Sequence, residues 1–235
     1  MDRFIFLDMD ETLVSSKPLE SQSTIDMFSF PEEMLKHPGD SISVRFAKAK
    51  MRRHYFNEIK AAGIGALKQY ARESGEGQGM RMRIFKFQDE YWVTKLRPQV
   101  KAFISALKDH FDKVYIMTAG GYEFQNRVLS VLGVRGMLDG VYSTVDNMHE
   151  TPKRRDSILV DNLSQDTLSI AEKMMGIGVI TKSDFNKALA GKRPADVEKR
   201  ISKHFVRATN FYGTVNTDPN GLQDAYDKVL RLIGM

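Results

Sequence analysis

The feature that most constrains this chain is a recurring unit: a short apolar run stops at polar residues and a helix-period stretch follows. Phe4-Ile5-Phe6-Leu7 ends at Asp8, Val114-Tyr115-Ile116-Met117 ends at Thr118-Ala119-Gly120-Gly121, and Ser157-Ile158-Leu159-Val160 ends at Asp161-Asn162. Runs without polar alternation are the pattern of strands buried on both faces. Helices are expected over Pro98–Lys108, Tyr122–Leu132, Thr167–Met175, Ala195–His204 and Leu222–Ile233, with further strands at Val141–Ser143 and Gly178–Ile180. Strand, loop and helix in alternation predict an α/β three-layer sandwich around a central parallel sheet.

One segment breaks the rhythm. Residues 15–40 are rich in Ser, Pro and Glu and read as loop, while apolar residues at three- to four-residue steps predict amphipathic helix over 44–72, interrupted near Gly63 and Gly65. MRMRIFKF and YWVTKL then alternate as a β-hairpin. The domain reading is therefore a core of 1–16 and 95–235 with an inserted segment of helices and hairpin over 17–94. The basic character lies in its later part and just past it: residues 45–97 hold 13 Lys+Arg against 5 Asp+Glu, whereas the whole 235-residue chain carries only +5. Arg52, Arg53, Arg81, Arg83 and Lys86, interleaved with Tyr55, Phe56, Phe85 and Phe87, could meet a polyanion; for most of them a solvated helix face over core aromatics is the plainer reading.

Cysteine is absent, which excludes thiolate chemistry, disulfides and Cys-based zinc sites. No apolar run approaches the roughly 20 residues of a membrane span. Asp8 and Asp10, reached within the first ten residues, do not suit a secretory leader, so a cytoplasmic protein is expected. The five histidines show no metal-ligand spacing.

In an open α/β sheet, ligands bind beyond the carboxyl ends of the strands at a switch in winding. Asp8-x-Asp10-x-Thr12, Thr118 and Asp161-Asn162 would converge there. Paired carboxylates can divide nucleophile and proton-transfer roles, and a hard cation such as Mg²⁺ lets them crowd together.

FIFLDMDETLVSS resembles the first motif of the haloacid dehalogenase-like phosphohydrolases. With LRPQVKAFISAL, VYIMTAG and ILVDN, the chain is similar to their RNA polymerase C-terminal-domain phosphatase branch. The resemblance implies that Asp8 attacks phosphorus to form an aspartyl-phosphate and that Asp10 protonates the leaving oxygen and later activates water. It implies Mg²⁺ held by Asp8, the Asp10 carbonyl, Asp161 and Asn162, and phosphoryl oxygens bound by Thr118 with the backbone N–H groups of Ala119 and Gly120. Lys153 is expected to neutralise transition-state charge, with Arg154 and Lys95 as rivals. Arg52 and Arg53 would help bind a phosphoprotein substrate. A nucleotide or nucleic-acid-end phosphatase is the alternative, and a non-catalytic nucleic-acid-binding or scaffold protein on the same fold the second.

Overall fold

A computed structural model describes residues 3–21, 24, 50, 53–54, 56–77, 79–146, 157–162, 167–190, 199, 201–213 and 221–235. The described elements are β1 (Phe4–Leu7), β2 (Val14–Pro18), α1 (Ile64–Gly77), β3 (Met82–Phe87), β4 (Glu90–Leu96), α2 (Val100–Lys108), β5 (Lys113–Thr118), α3 (Tyr122–Leu132), a 3₁₀ turn at Arg135–Met137, β6 (Gly140–Ser143), β7 (Ile158–Asp161), α4 (Thr167–Gly176), α5 (Lys182–Leu189), β8 (Phe205–Arg207) and α6 (Gly221–Leu232).

Five strands form a parallel sheet in the order β6-β5-β1-β7-β8. Alternate residues of β1 serve opposite faces, as the two-residue period of a strand requires. Ile5 and Leu7 join Val100, Ile104, Leu107, Val128, Leu132 and Val229 from α2, α3 and α6. Phe4 and Phe6 join Tyr115, Met117, Leu159 and, from α4, Ile170, Ala171 and Met174. The expected three-layer sandwich is the observed fold. Because the chain leaves β1 toward β5 and later returns to β7 on the other side, the switch point lies at the carboxyl end of β1.

A second, antiparallel sheet has the order β2-β4-β3. The expected hairpin turns at Gln88, whose φ is 52°. Leu19, Phe56, Leu67, Ala71, Met82, Ile84 and Val93 form a separate apolar cluster that gathers α1 against this sheet. The opposite aromatic face of the hairpin packs on α3: Trp92, Phe87 and Phe85 surround Phe124 at ring distances of 4.5, 5.2 and 6.0 Å. The helix break expected near Gly63 is present, with φ at 100°; residues 44–49 lie outside the described ones.

Three expectations are corrected. Residues 14–18 are strand rather than loop, an edge strand in which Pro18 costs no interior ladder bond. Residues 178–180 are not strand: Gly178 has φ 81°, and the N–H groups of Val179 and Ile180 turn back to the Met174 carbonyl, closing α4. Their apolarity serves burial, Ile177 and Ile180 packing under Phe6's face of the sheet. Residues 202–204, the end of the expected 195–204 helix, are turn, and 205–207 follow as a parallel edge strand; half of the residues of that expected helix lie outside the described ones. α5, also unforeseen, begins with a reciprocal cap: Thr181 N–H donates to Asp184 Oδ2 and Asp184 N–H to Thr181 Oγ1, both at 3.2 Å.

Candidate active site

β1, β5 and β7 end side by side, and their terminal residues line a cleft of about 360 Å³ with Asp8, Asp10, Glu11, Ser16, Lys17, Thr118, Ala119, Asn162 and Lys173 on its walls. Sheet pairing fixes these positions. Asp8 N–H donates to the Val160 carbonyl at 2.8 Å, which continues the β1–β7 ladder to the first aspartate. The chain then turns tightly, with Leu13 and Val14 N–H donating to the Met9 carbonyl at 2.9 and 3.1 Å and Glu11 at φ 56°.

Asp8 is buried and each of its carboxylate oxygens has a fixed donor: Thr12 Oγ1 to Oδ2 at 2.7 Å and Lys173 Nζ to Oδ1 at 2.6 Å. The same ammonium donates to Asp161 Oδ2 at 2.7 Å. One buried lysine thus bridges two buried carboxylates, leaving a net negative charge. Burial, and the neighbouring Asp161 charge, push Asp8 up to about 7 against the opposing pull of Lys173. Burial works to lower Lys173, but Asp8 and Asp161 outweigh it and hold the ammonium above its ordinary value, so it stays charged.

Asn162 joins the strand ends: its N–H donates to Thr12 Oγ1 at 3.2 Å, and its Nδ2 to the Asp10 carbonyl at 3.4 Å. Thr12 therefore shapes the loop. Asp10 Oδ2 receives Gln125 Nε2 from α3 and, at 3.5 Å, Thr118 Oγ1. Burial raises the Asp10 carboxyl above the usual range.

The structure brings together Asp8, Asp10, Thr118, Ala119, Asp161 and Asn162. Gly120 N–H is turned onto Thr118 Oγ1 at 3.1 Å rather than into the cleft. Lys153, Arg154 and Arg52 lie outside the described residues, and Arg53 is exposed. Lys95 is fully buried away from the cleft walls, donating to the Gly213 carbonyl at 3.0 Å. The lysine that reaches Asp8 follows Asp161 by twelve residues, where one preceding Asp161 was expected.

Sequence reasoning missed Lys173 and Gln125, yet both break a pattern. Lys173 stands among Ile170, Ala171, Met174 and Ile177, and Gln125 precedes Val128, Leu129 and Leu132, on the buried stripes of their helices. A polar residue inside an apolar stripe is a signal for a buried partner.

The sequence profile of haloacid dehalogenase-like hydrolases matches residues 3–160. The chain belongs to this family. No curated protein matches it. Among solved structures it is similar to a haloacid dehalogenase-like family hydrolase from Streptococcus pneumoniae, with 16% identity, 74% of this chain and 79% of that one covered, and a TM-score of 0.31. It is also similar to fission yeast RNA polymerase II CTD phosphatase Fcp1 bound to beryllium fluoride, with 13% identity, coverage of 97% and 61%, and a TM-score of 0.42. A second Fcp1 structure gives 12% identity, coverage of 97% and 60%, and the same TM-score. The chain spans about three fifths of those Fcp1 chains.

Proposed function

We propose that this hydrolase is a phosphomonoester phosphatase in which Asp8 is the nucleophile. The observation that carries this reading is the Lys173 bridge between Asp8 and Asp161 at the switch point, with Asp10 two residues from Asp8 on the same cleft. Lys173 and Thr12 fix both oxygens of Asp8, which aims the carboxylate without a search through rotamers. Attack forms the Asp8–phosphorus bond as the ester P–O bond breaks, and Asp10 gives its proton to the departing oxygen. Asp10, now a carboxylate, takes a proton from the water that cleaves the acyl-phosphate. Thr118 and Ala119 line the cleft where the phosphoryl oxygens would sit, and Lys173 would neutralise charge on them.

The donor set fits a hard divalent cation. Asp8, Asp161, the Asp10 carbonyl and Asn162 offer oxygen ligands only, and the bridge sets one ammonium, Lys173, against two buried carboxyl groups. Among the described residues no group of three or more His, Cys, Asp or Glu side chains surrounds a metal position; two carboxylates, a carbonyl and water are the smaller set that Mg²⁺ accepts. Bound there, Mg²⁺ would polarise the phosphoryl group and offset its charge.

The substrate class proposed is a phosphoprotein, with residues 17–94 as the insertion that selects it and Arg52 and Arg53 on its basic side. A nucleotide or nucleic-acid end is the second reading, favoured by the 11 Lys+Arg against 5 Asp+Glu of residues 45–94. Phosphate release from phosphopeptides, nucleotides and end-phosphorylated oligonucleotides, with Mg²⁺ and with EDTA, tests the proposal. Turnover that requires Mg²⁺, is lost in Asp8→Asn and is fastest on phosphopeptides is expected. Activity untouched by EDTA or by Asp8→Asn would overturn it.

A further inference from the structure

We propose that Gln125 is a positioning residue for Asp10: by holding Oδ2 it reserves Oδ1 for the leaving group, and so governs cleavage of esters whose alcohols are poor leaving groups. The inference rests on Asp10 being the general acid.

Gln125 lies in the first turn of α3, its N–H on the Gly121 carbonyl at 3.1 Å and its side chain 2% exposed. Nε2 donates to Asp10 Oδ2. Oε1 is buried and has no partner among the described residues. A buried amide with one end unsatisfied is a net cost to packing, and an apolar residue would fill the stripe without it. The contact it keeps is the one to Asp10. The neighbouring loop is shaped around that contact, since a Cβ on Gly120 would lie 2.0 Å from Gln125 Nε2.

A second donor converges on the same oxygen. Thr118 Oγ1 accepts the Gly120 N–H at 3.1 Å, which leaves its own proton to point toward Asp10 Oδ2, 3.5 Å away. No hydrogen bond from a described residue reaches Oδ1. An oxygen that accepts two hydrogen bonds takes the carbonyl role in a carboxylic acid, so the transferable proton sits on Oδ1. In the first step the Oδ1–H bond breaks and the proton passes to the ester oxygen as its bond to phosphorus breaks. Alcohol, phosphorylated Asp8 and the Asp10 carboxylate remain. Without Gln125 the carboxyl can rotate and present its proton less often to that oxygen.

The test compares kcat/KM, which reports steps up to leaving-group departure, on para-nitrophenyl phosphate, whose leaving group needs little protonation, and on phosphoserine, whose alkoxide needs it. Gln125→Met, near-isosteric and without the donor, is expected to lose on the order of tenfold more on phosphoserine than on the aryl ester. Gly120→Ala, which displaces the amide, is expected to give the same selective loss, and Gly120→Ala added to Gln125→Ala no further selective loss, because the truncated side chain leaves room for the methyl. Asp10→Asn is the reference and should show the largest selectivity. Equal losses on both substrates in Gln125→Met and Gly120→Ala, with Asp10→Asn still selective, would overturn the positioning role alone. An unselective Asp10→Asn would refute the acid assignment and the inference with it. If Gln125→Met does not fold, Gly120→Ala carries the same readout.

Discussion

Lys173 is a cation between two anions, so its removal has two opposite electrostatic consequences. Lys173→Met leaves Asp8 and Asp161 facing each other in a buried site, which destabilises the metal-free protein. The same change makes the site more negative and should tighten Mg²⁺. A lower melting temperature in EDTA, largely recovered by Mg²⁺, is expected by calorimetry, together with a kcat about 10²- to 10³-fold down from lost transition-state stabilisation. An unchanged kcat would contradict the role. Gln125 and Lys173 also show what single residues can and cannot disclose. Asp8, Asp161 and Thr118 were legible because each stands at a strand end, and strand ends converge by topology; Asp10 was legible from its two-residue spacing to Asp8. Lys173 comes from a helix face, and which helix faces reach the switch point depends on how that helix packs, something local pattern does not encode.

At the scale of the element, β4 ends in two buried cations with structural tasks. Lys95 Nζ donates to the Gly213 carbonyl, and Arg97 Nη1 donates to the Thr12 and Thr209 carbonyls at 3.1 and 2.8 Å, tying the hairpin's exit to the loop after β1 and to the segment after β8. Burial lowers Lys95 to about 8 from 10.5. Below about 8 the lysine is charged in both folded and unfolded chains and the cost of burying it is full. Between about 8 and 10.5 the folded protein sheds the proton while the unfolded chain keeps it, so this residue makes stability rise with pH, by up to roughly 3 kcal/mol. Denaturant unfolding of wild type and Lys95→Met at pH 7.5 and 10 checks this: the variant's relative advantage should shrink as pH rises, and a pH-independent difference would contradict it. The elements that local pattern missed share a cause. β2 is polar with a proline, β8 has three residues, and both are edge strands held by one neighbour; tertiary pairing rather than propensity makes them strands. Residues 178–180 erred the other way, since apolar character there reports burial beneath the sheet and not membership in it.

For the whole molecule, the parallel sheet carries the candidate active site at its switch point, and the small sheet with α1 stands beside it as the candidate selector. Several basic residues of this segment have internal tasks: Arg83 pairs with Glu76 at 3.1 Å, and Lys60 pairs with Glu20. Arg53, Lys68 and Arg72 remain exposed. Reversing these three to Glu should raise KM for a polyanionic substrate and flatten its salt dependence by about three charges' worth, while para-nitrophenyl phosphate turnover stays within about threefold. Identical kinetics on every substrate would mean that this face is only solvated. The central claim, that Asp8 becomes phosphorylated, is open to direct measurement. Rapid acid quench of the enzyme turning over para-nitrophenyl phosphate with Mg²⁺, followed by peptide mass spectrometry, should find a phosphoryl group on Asp8 in wild type and none in Asp8→Asn. A turning-over enzyme with no acyl-phosphate, or with the phosphoryl group on another residue, would contradict the account.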